Sequence, residues 1–247
     1  MNLFANNNNH FVNKNSNFAP LKIDKAYKNR LKMKKLVIFD LDGTLLNTIA
    51  DIARATNYAL AQLGFPTHHT ESYRSFVGNG INKLFERALP QEECNNENIM
   101  KVRSLFVPYY DQHKHDLTRP YKGVVELLYS LQERCIMIAI ASNKYQKATE
   151  ELVNNYFPNI KFLKVLGQRE GIPTKPDPSI VNEIIELAGV SKDETIYVGD
   201  SNVDMITAHN AGVDAVGVSW GFRTRKELQE NNPLAIIEEA GEILQLL

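Results

Sequence analysis

The stretch KKLVIFDLDGTLLNT, Lys34 to Thr48, passes from an uninterrupted apolar run straight into two aspartates, a glycine and a threonine. A continuous run such as KLVIF (35–39) reads as a parallel strand covered on both faces, where an alternating pattern would mark a strand with one wet side. Residues at the carboxyl end of such a strand lie where open α/β sheets place their ligands. Asp40 and Asp42, two apart in extended backbone, project to one side while Leu41 faces away. Two carboxylates that close raise one another's pKa unless a cation compensates, so the stretch already implies a partner of positive charge.

Four more runs of the same kind follow: CIMIAIA (135–141), FLKVL (162–166), TIYVG (195–199) and DAVGVSW (214–220). Helical patterns separate them at 123–134, 145–156, 178–189 and 202–212. Alternation of strand and helix predicts an α/β fold, a doubly wound parallel sheet of the Rossmann-like kind. One interval breaks the rhythm, because no strand-like run occurs between the first strand and CIMIAIA. There Ile49, Ile52, Ala53, Thr56, Leu60 and Leu63 recur at helical spacing, with Thr48 as N-cap and Gly64 as the stop. Further helices are predicted at 70–77, 80–89 and 95–113. The expected organisation is therefore a helical cap, 48–118, inserted after the first strand of a core formed by 33–47 and 119–247. Pro120 and Gly123 mark the turn of re-entry.

The chain has 247 residues, 43% hydrophobic and 23% charged, with a formal net charge of -1. That balance offers no global attraction to nucleic acid or to an anionic membrane, so an anionic substrate must be handled by a local site. No apolar stretch approaches the roughly 20 residues of a membrane-spanning helix. Of the two cysteines, Cys94 and Cys135, Cys135 opens an apolar run and reads as a small core residue; a reducing, cytoplasmic setting without disulfides is expected. Residues 1–32 are Asn-rich and then basic, with no signal-peptide core, and read as a disordered leader. Met33 stands where a folded chain would naturally start.

The strand ends gather a chemically consistent set. After the second strand come Ser142 and Asn143, and after the fourth come Gly199, Asp200, Ser201 and Asp204, the two acids at i and i+4 near a helix start. Between the third and fourth lies GIPTKPDPS, which carries Lys175; Asp177 and Pro178 are suited to N-cap and first helical position there. An oxygen-rich cluster of this kind suits Mg2+, which completes its shell with water and phosphate oxygens. Ser142 and Asn143, just before a predicted helix, suit an anion, and Lys175 can offset charge on a phosphoryl group.

Taken in order, these residues resemble the four motifs of the haloacid dehalogenase superfamily of phosphotransferases: DLDGTLLNT, ASN, Lys175 in KPDP, and GDSNVD. The likeness runs over essentially all of 33–247, and the helical insertion matches that superfamily's mobile cap. Within it the chain is most similar to the phosphoglycolate phosphatase group, through FVGNGINKLFERAL (76–89) and RPYKGVVELL (119–128). The resemblance implies Asp40 as nucleophile, forming an aspartyl-phosphate, and Asp42 as general acid and then base. It implies Mg2+ held by Asp40, the backbone carbonyl of Asp42, and Asp200, with Asp204 in the outer shell, and a phosphoryl group bound by Thr44, Ser142, Asn143 and Lys175. The implied substrate is a small phosphorylated metabolite, 2-phosphoglycolate foremost, with no nucleic-acid or membrane partner. A phosphosugar mutase or inorganic pyrophosphatase of the same superfamily is the competing expectation; Thr44 favours hydrolysis, since such mutases commonly carry Val there. A noncatalytic binding protein would be expected to have lost Asp40 or Asp42.

Asn47, at the cap hinge, stands where the family usually has Asp, and Lys122 replaces a common proline. Gly78, Asn79 and Gly80 form a cap loop that is either a substrate-approaching element or a plain helix–helix turn. Arg223, after the fifth strand, either reaches the substrate or, the preferred reading, is a surface arginine beside a packed aromatic. His113 and His115 do not share a helix face and do not suggest a metal pair.

Overall fold

The computed structural model describes residues 33–247. The expected leader, 1–32, lies outside the described residues. Strand β1 (Leu36–Phe39) is fully buried, and its side chains divide between two cores. Val37 and Phe39 join one cluster, and Leu36 and Ile38 join another on the opposite face of the sheet. That division is why the run is apolar throughout rather than alternating.

From β1 the chain makes a two-residue strand β2 (Leu46–Asn47) and enters four helices: α1 (Ile49–Gln62), α2 (Tyr73–Phe76), α3 (Ile81–Ala88) and α4 (Asn96–His113). They enclose their own cluster, which includes Ile52, Ala59, Tyr73, Phe85, Phe106 and Tyr110. The chain returns through β3 (Arg119–Pro120), antiparallel to β2. Asp51 stitches this crossing: it is wholly buried in α1 and accepts from the Leu117 N–H at 3.0 Å, the Thr118 N–H at 2.8 Å and the Thr118 hydroxyl at 2.9 Å.

The rest alternates: α5 (Val124–Glu133), β4 (Met137–Tyr145), α6 (Gln146–Tyr156), β5 (Lys164–Gln168), α7 (Ser179–Ala188), β6 (Thr195–Gly199), α8 (Asn202–Ala211), β7 (Asp214–Val218), α9 (Arg225–Gln229) and β8 (Ala235–Ile237). Six strands form one sheet in the order β5-β4-β1-β6-β7-β8, every pair parallel. Helices α5 and α6 cover one face and α7 and α8 the other, so the sheet is doubly wound as predicted. Because β1 is central and the chain steps first to one side and then to the other, the carboxyl ends of β4, β1 and β6 meet at the switch point. Among the described residues no helix is long and apolar enough to cross a membrane.

Several local expectations change. Cys135 is not a core residue: it is exposed and has φ +58. It occupies the left-handed position after α5, with its N–H on Gln132 O and the Ile136 N–H on Leu131 O, both at 3.0 Å. This is a Schellman ending, usually built on Gly, and it holds the strand back to Met137. Strand β5 is Lys164–Gln168 rather than 162–166, extended by the pairing of Gln168 with Tyr145; Gly167 suits the close approach there, since a Cβ would meet Lys144 O at 2.5 Å. Thr48 stands at the N-cap of α1 but makes no capping bond. Helix α7 starts at Ser179 with Pro178 at its N-cap, one residue later than expected, and Asp177, ahead of the cap, accepts the Ser179 N–H at 2.9 Å. The helix predicted over 70–77 divides into a 3-10 turn, Thr70–Ser72, and the four-residue α2. Strands β2, β3 and β8 have no signal in the sequence beyond two or three residues each.

Candidate active site

The ends of β1, β4 and β6, the Lys175 loop and the cap surround a cleft with about 680 Å³ of free space, part of it open to solvent. Asp40, Asp200 and Asp204 meet at its floor, all three buried, with one carboxylate oxygen from each within 4.8 Å of the others. Lys175 is buried among them, 2.7 Å from Asp40 Oδ1, 2.7 Å from Asp204 Oδ1 and 2.9 Å from the Tyr197 hydroxyl. Burial works against its charge, but Asp204 and Asp40 outweigh that and hold its pKa well above the ordinary lysine value.

One ammonium leaves the three acids under-compensated. Burial pushes the Asp40 carboxyl up to about 7; Lys175 pulls against that and Asp204 adds to it. Asp200 is pushed well above the ordinary carboxylate range by burial and by the charges of Asp204 and Asp40. A divalent cation would relieve both, and an all-oxygen set suits Mg2+. Within the trio the oxygens of Asp204 are fully engaged, Oδ1 by Lys175 and Tyr197 and Oδ2 by the N–H and hydroxyl of Ser201 at 3.1 and 2.6 Å. Asp204 therefore suits an outer position. Asp200 Oδ2 accepts the Phe222 N–H at 2.6 Å.

Glycines make this floor possible. A Cβ on Gly221 would lie 2.2 Å from Asp200 Cβ, and one on Gly43 would lie 2.3 Å from Asp200 Oδ2, at a φ of +90 that L side chains rarely adopt. The G in DLDG is thus a space reserved for the acid arriving from β6.

Of the expected site residues, Asp40, Asp42, Ser142, Asn143, Lys175, Asp200 and Asp204 all line the cleft. Asp42 stands apart from the acidic trio: its carboxylate is gripped by Lys144 Nζ at 3.1 and 3.0 Å. Thr44 is among the most buried polar residues and does not line the cleft; its hydroxyl is directed at Asp200 Oδ1, 3.5 Å away. Asn143 has its amide committed elsewhere, to the Lys175 backbone at 2.8 and 3.0 Å and to the carbonyl of Gly78 at 3.0 Å. Gly78 and Gly80 line the cleft from the cap, whereas Asn79 turns away to accept from Arg87 at 2.8 Å.

One cleft-lining residue escaped the sequence reading and another is placed differently. Lys144 directly follows ASN at the end of β4, and its place there was the available signal. Arg223, beside the buried Phe222, is half-buried: it lines the cleft and donates to cap carbonyls, Val77 at 2.8 Å and also Arg74. Its position after β7 indicated the rim, but the cap carbonyls it reaches lie far away in sequence.

Known proteins share the family and the fold of this chain. Residues 37–218 match the family model described as haloacid dehalogenase-like hydrolase. A phosphoglycolate phosphatase of Vibrio parahaemolyticus is 33% identical over 218 residues, covering 86% of this chain and 96% of that protein. A phosphoglycolate phosphatase of Pseudomonas syringae is 34% identical over 217 residues, covering 86% of this chain and 79% of its own. A solved structure from Lactobacillus delbrueckii subsp. bulgaricus superposes with a TM-score of 0.80 at 31% identity, over 87% of this chain and 98% of that one.

Proposed function

The chain belongs to the haloacid dehalogenase-like hydrolases and is a phosphoric monoester hydrolase, and from that premise we propose that it hydrolyses a small phosphorylated acid, 2-phosphoglycolate, with Mg2+ and an aspartyl-phosphate intermediate. The observation that carries the reading is the different surroundings of the paired aspartates. Asp40 sits in the acidic trio beside Lys175, while Asp42, two residues on, is held away from it by Lys144. The relatives named phosphoglycolate phosphatase support the choice of substrate.

In this reading Lys175 holds one oxygen of Asp40 and leaves the other for phosphorus. Asp40 attacks, the bond from phosphorus to the ester oxygen breaks, and Asp42 gives its proton to the departing alkoxide. Water then attacks the aspartyl-phosphate, Asp42 takes back the proton, and inorganic phosphate leaves. Ser142, at the end of β4, faces the phosphoryl oxygens, and Lys175 offsets their charge. Asp40, Asp200 and the Asp42 carbonyl would hold Mg2+, with Asp204 behind them. Bound there, the ion would neutralise the trio and polarise the phosphoryl group. The cap helices, 48–118 in this scheme, exclude water and face the leaving group.

Phosphate release from 2-phosphoglycolate by the purified protein with Mg2+, lost in Asp40→Asn, is the expected result. Conversion of β-glucose 1-phosphate to glucose 6-phosphate without net phosphate release would overturn it in favour of a mutase.

A further inference from the structure

Among the described residues three side-chain cations line the cleft, Lys144, Lys175 and Arg223, and the partners each already has determine what it can do for a substrate. Lys175 is enclosed by Asp40 and Asp204. Arg223 is committed to main-chain carbonyls of the cap. Lys144 is different: its ammonium is hydrogen-bonded to Asp42 and otherwise lies over the Tyr110 ring, 4.7 Å from the centroid.

The placement is built into the sheet. Ala141 pairs with Leu166 but Tyr145 pairs with Gln168, so four residues of β4 advance against two of β5. This bulge at the sheet end re-aims Lys144 into the cleft, where its side chain is only 5% exposed. A desolvated ammonium is costly unless anions satisfy it.

The ester oxygen of a substrate must lie against Asp42 to receive its proton. The atoms attached to that oxygen then fall beside Lys144, because Lys144 reaches both Asp42 oxygens. The Tyr110 ring beneath Lys144 is stacked on Phe106, and Leu84 adds to the apolar lining of the same cleft. A neutral leaving group would set carbon against the buried ammonium and return nothing for its desolvation. A carboxylate one methylene from the ester oxygen would meet it as an ion pair in low-dielectric surroundings.

We propose that Lys144 is the specificity residue for the acidic end of the leaving group, sharing its ammonium in the substrate complex between Asp42 and the carboxylate of a phosphorylated 2-hydroxy acid. The inference rests on the phosphatase reading above and assigns the substrate's carboxylate to one side chain.

The test compares wild type, Lys144→Met and Lys144→Arg on 2-phosphoglycolate and on ethyl phosphate, which has a methyl in place of the carboxylate and still needs Asp42. Wild type should prefer the acid. In Lys144→Met that preference, taken as the ratio of kcat/KM values, should fall about 100-fold, the worth of a charge-assisted contact, chiefly through KM, while Lys144→Arg keeps most of it. Circular dichroism of the variants confirms folding. If both substrates lose the same factor in Lys144→Met, the residue serves Asp42 alone and the inference falls while the phosphatase reading stands. A wild type that releases phosphate from ethyl phosphate as readily as from the acid overturns the substrate assignment as well.

Discussion

Asn143 and Lys175 clasp one another: the Lys175 N–H donates to Asn143 Oδ1 at 2.8 Å, and Asn143 Nδ2 donates back to the Lys175 carbonyl at 3.0 Å. The amide of one strand end thus fixes the loop whose side chain reaches the acidic floor, and the same Nδ2 reaches Gly78 in the cap. Replacing Asn143 by Ala orphans a buried N–H, at a cost of about 1–3 kcal/mol, and frees the Lys175 loop. Thermal melts should show the lower stability and phosphate release a lowered kcat; unchanged values of both would mean the clasp is dispensable.

The acidic trio makes metal-free stability depend on pH in a defined direction. The Asp40 carboxyl stands at about 7 in the folded protein against 3.8 in the free residue, through burial, with Lys175 opposing and Asp204 adding. A folded-state pKa above the unfolded one means the native state binds the proton more tightly. Its contribution is full below about pH 3.8 and is lost as pH rises through about 7. In EDTA, the melting temperature of wild type relative to Asp40→Asn should therefore fall across that window. Mg2+ should restore wild type most at the upper end. A difference that grows with pH in EDTA would contradict the assignment.

Asp51 should prove the most sensitive residue of the hinge. Asp51→Ala strands the buried N–H groups of Leu117 and Thr118 that it accepts from, so unfolding in urea should show about 2–4 kcal/mol of lost stability. A midpoint within error of wild type would mean that β2 and β3 carry the crossing unaided.

Arg223→Ala removes donors to the Val77 and Arg74 carbonyls and should loosen the cap over the cleft. Faster amide hydrogen exchange is expected in 73–85, with that of β1 and β6 unchanged, together with a raised KM. Uniform acceleration throughout the chain would point to global destabilisation instead.

The parallel sheet was legible because two-sided burial writes itself as continuous apolar runs, seen in LVIF dividing its side chains between two cores. Asp40 and Asp200 were legible because each sits directly past a strand, and Asp204 and Lys175 because they lie in the helix start and the proline-rich loop that follow strands. What was not legible depended on contacts between distant segments. Lys144 follows the recognised Ser142 and Asn143, but only the offset pairing of β4 with β5 turns it toward Asp42. Thr44 and Asn143 carry the right donors, yet their partners in the fold are Asp200 and the Lys175 backbone. Cys135 looked apolar and internal, whereas a helix ending claimed its backbone. Strand β8 is three residues long, too short for a pattern.

On the Gly78 side of the cleft, the cap and core are joined by side chains that bond to peptide carbonyls: Arg223 to Arg74, Ser75 and Val77, Asn143 to Gly78, and, in the other direction, Arg74 to Gly221. A carbonyl acceptor is present whatever residue bears it. The latch from the core therefore ignores the identity of the cap residues it grips: the side chain of Ser75 is open to exchange without remaking it, while Gly78 and Gly80 are held to glycine by φ values of +125 and +84. The fastening is thus written in the backbone of that loop, and a change of side chain that keeps the two glycines leaves it in place.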